Sequence, residues 1–506
     1  MGAPVSPSHP SPGTRAAQAG TSPSPSSLRM SFPDGFLWGA ATSAFQIEGS
    51  PLADGAGPSI WQRFARTPGL TVGGETGDVA CDHYHRYRED VALMRDLGLQ
   101  TYRFSTSWSR IRPDGGAINP AGLDFYKRLV DELLDADILP WLTLYHWDLP
   151  QALQERGGWA ARETADLFTE YALDVHDALG DRVKVWTTLN EPWCSSFLSY
   201  TAGIHAPGRF SIAEGMLASH HLLLGHGQVV RELRARDESL NLGITLNLTV
   251  AEPVTDAPAD LDAARRIDGQ FNRWFLDPIF RGSYPADIVE DIRAVDGAAV
   301  AEWEGAVSDA DLAVISTPID SLGVNYYHGE LVGGTPPVVS PGGGEAPTER
   351  ETASPFPSHE DIFWHDRGLP RTAMNWEIQP SGLTTLLRRV WDEYAEPAGV
   401  ALYVTENGAA FDDVRVEENG VPHVHDAART AFLENHLAAI LDAADAGVDV
   451  RGYFYWSLMD NYEWAWGYEK RFGIVRVEYD TQERVVKDSG ARYREIIASR
   501  ALPESP

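Results

Sequence analysis

The chain has 506 residues, 43% of them hydrophobic and 23% charged, an ordinary globular balance, and its formal net charge is −32. That charge excludes partners that attract cations, such as a nucleic-acid backbone or an anionic membrane surface. Two cysteines, Cys81 and Cys194, exclude a disulfide scaffold, and no apolar run approaches the roughly 20 residues of a membrane span.

Residues 1–29 are rich in Ser, Pro, Ala and Gly and lack the apolar centre of a secretory signal, so they are expected to form a disordered extension. Met30 directly precedes the first strong pattern and is a candidate start. Without a signal, the expected location is cytoplasmic. The first strand-like run is "FLWGAATSA" (36–44). A helical pattern follows in "YHRYREDVALMRDLG", with Tyr84, Tyr87, Val91, Met94 and Leu97 near one face. Next come "TYRFSTSW" (101–108), the amphipathic "GLDFYKRLVDELLDA", and "ILPWLTLYH" (138–146). A helix over 163–179 leads to "VKVWTTLN" (183–190), and one over 214–236 leads to "LGITLNLT" (242–249). "IDSLGVNYY" (319–327) follows, then a helix over 381–395, "VALYVTEN" (400–407), a helix over 427–446 and "VRGYFYWSL" (450–458). Most of these strand runs are almost continuously apolar, as parallel strands buried on both faces must be. Gly98, Gly180, Gly399 and Gly447 precede several of them, as helix C-caps do.

Eight strands alternating with helices predict an α/β protein, a single (β/α)8 TIM barrel over residues 30–500 with a flexible tail over 501–506. The excess length falls in loops, most clearly 329–372, which is rich in Gly, Pro and Glu. No internal repeat or second domain is visible. Nothing in the sequence specifies an oligomeric state. The 16 tryptophans have two uses, core packing and stacking on flat apolar ligand faces such as sugar rings, and position decides between them.

A barrel of this kind carries its chemistry at the C-terminal ends of its strands. The fourth run ends in "TLNEPW" and the seventh in "VTENG", placing Glu191 and Glu406 above one barrel mouth. The first leads to Gln46, the second carries Arg103, and the third ends in His146 and Trp147. The fourth also supplies Asn190, the sixth Asn325 and Tyr327, and the eighth Trp456 with Glu463 and Trp464 beyond it. Amides, one imidazole, carboxylates and indoles around one rim suit an uncharged polyhydroxylated ligand. Each residue alone has a plainer use. A strand-end glutamate caps a helix or pairs a cation, a histidine satisfies a core hydrogen bond, and Arg103 neutralises a buried carboxylate. Packing does not require so many polar groups on seven different strand ends.

The motifs "FLWGAATSAFQIEG", "GDVACDHYHRYREDVALMRDLG", "YRFSTSWSRI", "LYHWDLPQAL", "TLNEPW", "NYY", "YVTENG" and "WSLMDNYEWAWGYEKRFGIVRV" occur in that order from residue 36 to about residue 477. In these the chain resembles the β-glucosidases of glycoside hydrolase family 1. The resemblance implies a (β/α)8 barrel with Glu191 as general acid/base and Glu406 as nucleophile. It implies substrate binding by Gln46, His146, Trp147, Asn190, Asn325, Tyr327, Trp456, Glu463, Trp464 and Phe472, with Arg103 supporting. It implies no metal and no cofactor. Retaining hydrolysis of terminal β-D-glucosyl residues by double displacement is therefore expected. Substrates would be cellobiose, short oligosaccharides or aryl glucosides, with β-galactosidase and β-fucosidase side activities and transglycosylation. Two alternatives compete. A 6-phospho-β-glucosidase needs cations or hydroxyls near O6, where Glu463 would repel a phosphate. A non-catalytic sugar-binding barrel should lack one of the two glutamates, and both are present. The aglycone site is expected outward of Trp193, Trp376 and the 329–372 loop. Trp466 either narrows the mouth or covers the eighth strand.

Overall fold

A computed structural model describes residues 31–337, 348 and 350–502. The expected N-terminal extension lies outside the described residues. Eight strands form a closed barrel: β1 (Leu37–Ala41), β2 (Thr101–Ser105), β3 (Leu139–Tyr145), β4 (Val185–Asn190), β5 (Asn241–Asn247), β6 (Ser321–Asn325), β7 (Ala401–Asn407) and β8 (Val450–Trp456). Each pairs in parallel with its sequence neighbours, and β1 closes on β8 from Leu37↔Gly452 to Ala41↔Trp456. All eight expected strands are present. Most are shorter than the apolar runs because the last residues of those runs leave the ladder to build the rim. The run 36–44, for example, leaves the strand after Ala41 and turns into the short helix Ala44–Ile47.

Helices in the connections between strands clothe the barrel. His83–Asp96, Pro120–Asp135, Glu163–Leu179, Ile212–Arg236, Pro380–Val390 and Ala427–Asp445 occupy the six expected positions. Gly98, Gly399 and Gly447 take positive φ, as αL caps do, but Gly180 stays helical at φ −65°. A Cβ on Gly180 would lie 2.5 Å from His176 Nε2, so close approach rather than backbone handedness calls for glycine there. The connection from β5 to β6 holds five helices, at Pro258–Asp268, Trp274–Arg281, Ala286–Val295, Gly297–Ala306 and Asp309–Ile315, that the strand-centred reading did not anticipate. Much of the excess length sits there as well as in 329–372. Within 329–372, Glu330–Gly333 and Phe363–Trp364 join Ala251–Pro253 in a small sheet. The packed body also runs past residue 500. Ala501 bridges Ser31 and Leu502 is buried, so these two residues do not belong to a flexible tail; residues 503–506 lie outside the described residues.

Trp38, Trp61, Trp108, Trp159, Trp186 and Trp274 are wholly buried, which assigns them to the core. A separate apolar cluster of Ala41, Trp141, Phe454 and Trp456 underlies the rim. Trp141 meets Tyr403 and Phe454 edge to face, each at 4.9 Å, the arrangement aromatic quadrupoles favour. Among the described residues no helix is long and apolar enough to cross a membrane.

Candidate active site

Glu191 and Glu406 reach the rim through the same device. Pairing of β4 with β5 shifts register between Thr187 and Asn190, and pairing of β7 with β6 shifts between Val404 and Glu406. Such irregularities re-aim a side chain at a strand end. Glu191 then takes φ 49°, a left-handed conformation unusual for a side chain larger than glycine. Its backbone is held on both sides. The amide donates to the Thr245 carbonyl at 3.0 Å, and the carbonyl accepts from the amides of Cys194 and Ser195 at 3.0 and 3.3 Å.

The two carboxyls are anchored differently. Arg103 donates from Nη1 to Glu406 Oε1 at 2.6 Å and from Nη2 to Asn190 Oδ1 at 2.6 Å. Tyr327 Oη donates to Glu406 Oε2 at 2.8 Å. Glu191 receives only neutral donors: Asn325 Nδ2 at 2.6 Å on Oε1 and the Cys194 thiol at 3.3 Å on Oε2. Asn325 is itself fixed, since Thr405 Oγ1 donates to its Oδ1 at 2.8 Å. Burial first, and then the charge on Glu406, push Glu191 up to about 8. Burial also raises Glu406, but the Arg103 guanidinium opposes it, so Glu406 is the member of the pair that ionises first. Burial and Arg103 push His146 well below the ordinary imidazole range, which leaves it neutral.

The glutamates open into a cavity of about 330 Å³. His146, Trp147, Asn325, Tyr327, Trp456, Glu463, Trp464 and Phe472 all line it. Gln46, Asn190 and Arg103 do not reach the lining; they stand one layer behind. Gln46 donates from Nε2 to Asn461 Oδ1 and the Tyr462 carbonyl, both at 3.0 Å, and to Glu463 Oε2 at 3.4 Å. Asn190 is buried against His146 Nε2 at 3.0 Å, and its carbonyl accepts from Trp147 Nε1 at 2.9 Å. Trp147 and Trp464 both have positive φ, 77° and 52°, and their rings meet at 4.6 Å, so the indole wall is set by backbone turns as well as by packing. Burial, then Glu406 and Glu191, push Glu463 up to about 8, which favours its protonated form at neutral pH. Repulsion by Glu463 is thus a weak argument against a phosphate. The stronger one is that no Lys or Arg is among the described residues of the lining.

Trp193, Trp376 and Trp466 line the cavity, with Phe356 from the 329–372 loop. Sequence reasoning missed Cys194, Asn247, His205, Phe271 and Met374. Asn247 was within reach, because it ends β5 and the strand-end rule applies to it. His205, Phe271 and Met374 come from connections that carry no such mark. Among the described residues no group of three His, Cys, Asp or Glu could hold a metal ion.

The family model for glycosyl hydrolase family 1 matches residues 28–502. The chain is 53% identical to a solved psychrophilic β-glucosidase, BglU from Micrococcus antarcticus, with a TM-score of 0.89 over 93% of this chain and 98% of that one. A solved β-glucosidase from Thermotoga maritima in complex with deoxynojirimycin is 44% identical, with a TM-score of 0.83 over 94% of this chain and 100% of that one. A bifunctional β-D-glucosidase/β-D-fucosidase from Bifidobacterium breve is 46% identical over 94% of this chain and 100% of its own length. With the closed barrel and the carboxyl pair at its mouth, these likenesses make the chain a glycoside hydrolase of the β-glucosidase type, and it belongs to glycosyl hydrolase family 1.

Proposed function

We propose that the chain hydrolyses terminal β-D-glucosides with retention, Glu406 acting as nucleophile and Glu191 as acid and then base. The observation that carries this assignment is the unequal anchoring of the two carboxyls. One has a guanidinium at 2.6 Å and stays ionised, and the other has only neutral donors and keeps its proton.

In the first step a Glu406 oxygen forms a bond to the anomeric carbon as the glycosidic C–O bond breaks. The Glu191 proton passes to the departing oxygen, so the aglycone leaves as a neutral alcohol. Bond formation removes the negative charge of Glu406, one of the two main causes of the raised Glu191 pKa. Glu191, having given up its proton, therefore stays ionised and takes a proton from water, which attacks the same carbon as the bond to Glu406 breaks and releases glucose with β configuration. Tyr327 and Arg103 hold the leaving carboxylate ready for the next cycle.

Neutral His146, Glu463 and the Trp456 and Trp464 indoles fit a glucosyl unit with free hydroxyls, whose donors would lower the Glu463 pKa on binding. The relative that acts on both glucosides and fucosides supports side activity on β-fucosides, and β-galactosides belong to the same proposal. The aromatic outer wall supports a sugar or aryl aglycone, cellobiose and short cello-oligosaccharides included. A sugar bound there in place of water would be an acceptor for transglycosylation. We place the activity in the cytoplasm on imported saccharides.

The test is hydrolysis of p-nitrophenyl β-D-glucoside and its 6-phosphate by wild type, Glu191→Ala and Glu406→Ala, with and without azide. The expected result is turnover of the neutral glucoside alone, lost in both variants. Azide should restore Glu406→Ala as the α-glucosyl azide and Glu191→Ala as the β-glucosyl azide. The opposite pairing of products would exchange the two roles, and turnover of the phosphate alone would overturn the substrate class.

A further inference from the structure

The carboxyl of Glu191 has two oxygens, and a different element serves each. Asn325, the last residue of β6, holds Oε1. The donor on Oε2 comes from three residues further along the same turn, the Cys194 thiol at 3.3 Å. That thiol sulfur in turn accepts from Asn247 Nδ2 at 3.6 Å, and Asn247 is the last residue of β5. The backbone preorganises this contact, because the amide of Cys194 already donates to the carbonyl of Glu191 and φ of Glu191 is left-handed. Cys194 and Asn247 both contribute to the cavity wall. Burial and the adjacent carboxyl hold the thiol well above the ordinary cysteine range, so the sulfur keeps its hydrogen and remains a donor. With the Asn247 amide on the sulfur lone pair, the S–H is free to point at Glu191.

We infer that Cys194 is a positioning residue for the acid/base: its thiol, oriented by Asn247, fixes Oε2 of Glu191 as the oxygen that exchanges the proton. The inference rests on the reading of Glu191 as acid/base given above. The short bond from Asn325 makes Oε1 the carbonyl-like oxygen, so the proton sits on Oε2. When that proton moves to the glycosidic oxygen and the C–O bond breaks, the new carboxylate accepts from Asn325 on one oxygen and from Cys194 on the other. When water attacks in the second step, Oε2 takes the proton back from it. Removing the thiol leaves the carboxylate short of one donor and frees it to rotate, while the protonated form loses less. The pKa of Glu191 therefore rises, and transfer to a poor leaving group slows. The other ionisable groups that face Glu191 are Glu406, Arg103, Tyr327 and Glu463.

The experiment compares wild type, Cys194→Ala, Cys194→Ser and Glu191→Gln on two substrates. Cellobiose needs protonation of its leaving oxygen, and 2,4-dinitrophenyl β-D-glucoside does not. For Cys194→Ala the expected loss of kcat/KM is about fivefold on cellobiose and under about 1.5-fold on the dinitrophenyl glucoside, the size of one lost hydrogen bond to a developing charge. Its basic limb should move up by about half a pH unit. Cys194→Ser keeps a donor and should return both readouts close to wild type. Unchanged kinetics in Cys194→Ala, equal losses on the two substrates, or a serine variant that matches alanine would overturn the inference. If Glu191→Gln shows the leaving-group dependence and Cys194→Ala does not, only the role of Cys194 falls. If Glu191→Gln shows none, the acid assignment falls and the inference with it.

Discussion

At the inner end of the cavity Glu406, Glu191 and Glu463 are each tied to a polar partner, Arg103, Asn325 and Gln46, and every one of those partners is buried. At the outer end the wall is aromatic. Trp193 packs on Phe271 at 4.4 Å and on Phe356 at 5.6 Å, Trp376 packs on Tyr327 at 5.4 Å, and among the described residues the buried Trp193 Nε1 has no hydrogen-bond partner. Ladders and buried polar pairs hold the inner end. Van der Waals contact between loops builds the outer end. A reaction that must place an anomeric carbon between two oxygens needs the first kind of wall. Admitting different aglycones needs only the second. The inner wall should therefore tolerate almost no change, and the outer wall should trade one substrate for another.

Substitutions ranked by expected effect test that contrast. Glu406→Ala should lower kcat on an aryl glucoside on the order of 10⁵-fold while leaving the fold intact, read by initial rates beside far-UV circular dichroism. Arg103→Met comes next. It leaves a buried carboxylate without its cation, with only Tyr327 donating to it, and should destabilise the protein by about 3–5 kcal/mol, seen in urea unfolding, with a large loss of kcat. Glu463→Gln keeps the shape of the inner wall but removes a charge-assisted acceptor for sugar hydroxyls. It should lower kcat/KM on glucosides by about 10- to 100-fold and act equally on every aglycone. Trp376→Ala should raise KM about threefold to tenfold for cellobiose and aryl glucosides and leave inhibition by a bare glucose-shaped amine nearly unchanged. If Trp376→Ala weakened the bare inhibitor as much as the aryl glucoside, the division into two walls would be wrong.

The pH dependence carries the same asymmetry. On the proposed mechanism, activity needs Glu406 ionised and Glu191 protonated. It should rise as Glu406 loses its proton and fall again near pH 8 as Glu191 loses its own. The order follows from the anchoring, since Arg103 opposes the effect of burial on Glu406, whereas burial and the charge of Glu406 outweigh the neutral donors on Glu191. A pH profile of kcat/KM on cellobiose, which depends on the acid, should show the fall sharply.

What could be read from the sequence follows the same division. The barrel was legible because parallel strands are buried on both faces and write long apolar runs, and the inner wall was legible because those runs end on polar residues that packing alone does not need. Phe271 and His205 were not, because they lie in connections where an aromatic residue looks like any other part of the core. The five helices between β5 and β6 escaped for a related reason. Pro258–Asp268, in "DAPADLDAARRIDG", carries few large apolar residues, and Trp274–Arg281, though apolar, is only eight residues long and holds Pro278. Cys194 shows a third limit. Its residue type suggests only a small buried thiol, and its contact with Glu191 depends on a backbone turn that the sequence does not spell out.

On the proposed mechanism Glu191 and Glu406 hold different protonation states at the same pH, and glycosylation of one resets the other. The most direct test is a carbon-13 NMR titration of the glutamate carboxyls, assigned with Glu191→Gln and Glu406→Gln. It would be run on the free protein and again after trapping with a 2-deoxy-2-fluoro-β-D-glucoside that bears a good leaving group. The account predicts that Glu191 titrates near pH 8 in the free protein, with Glu406 below it, and that the Glu191 midpoint falls once Glu406 is esterified. A Glu406 midpoint above that of Glu191, or a Glu191 midpoint that does not move on trapping, would contradict it.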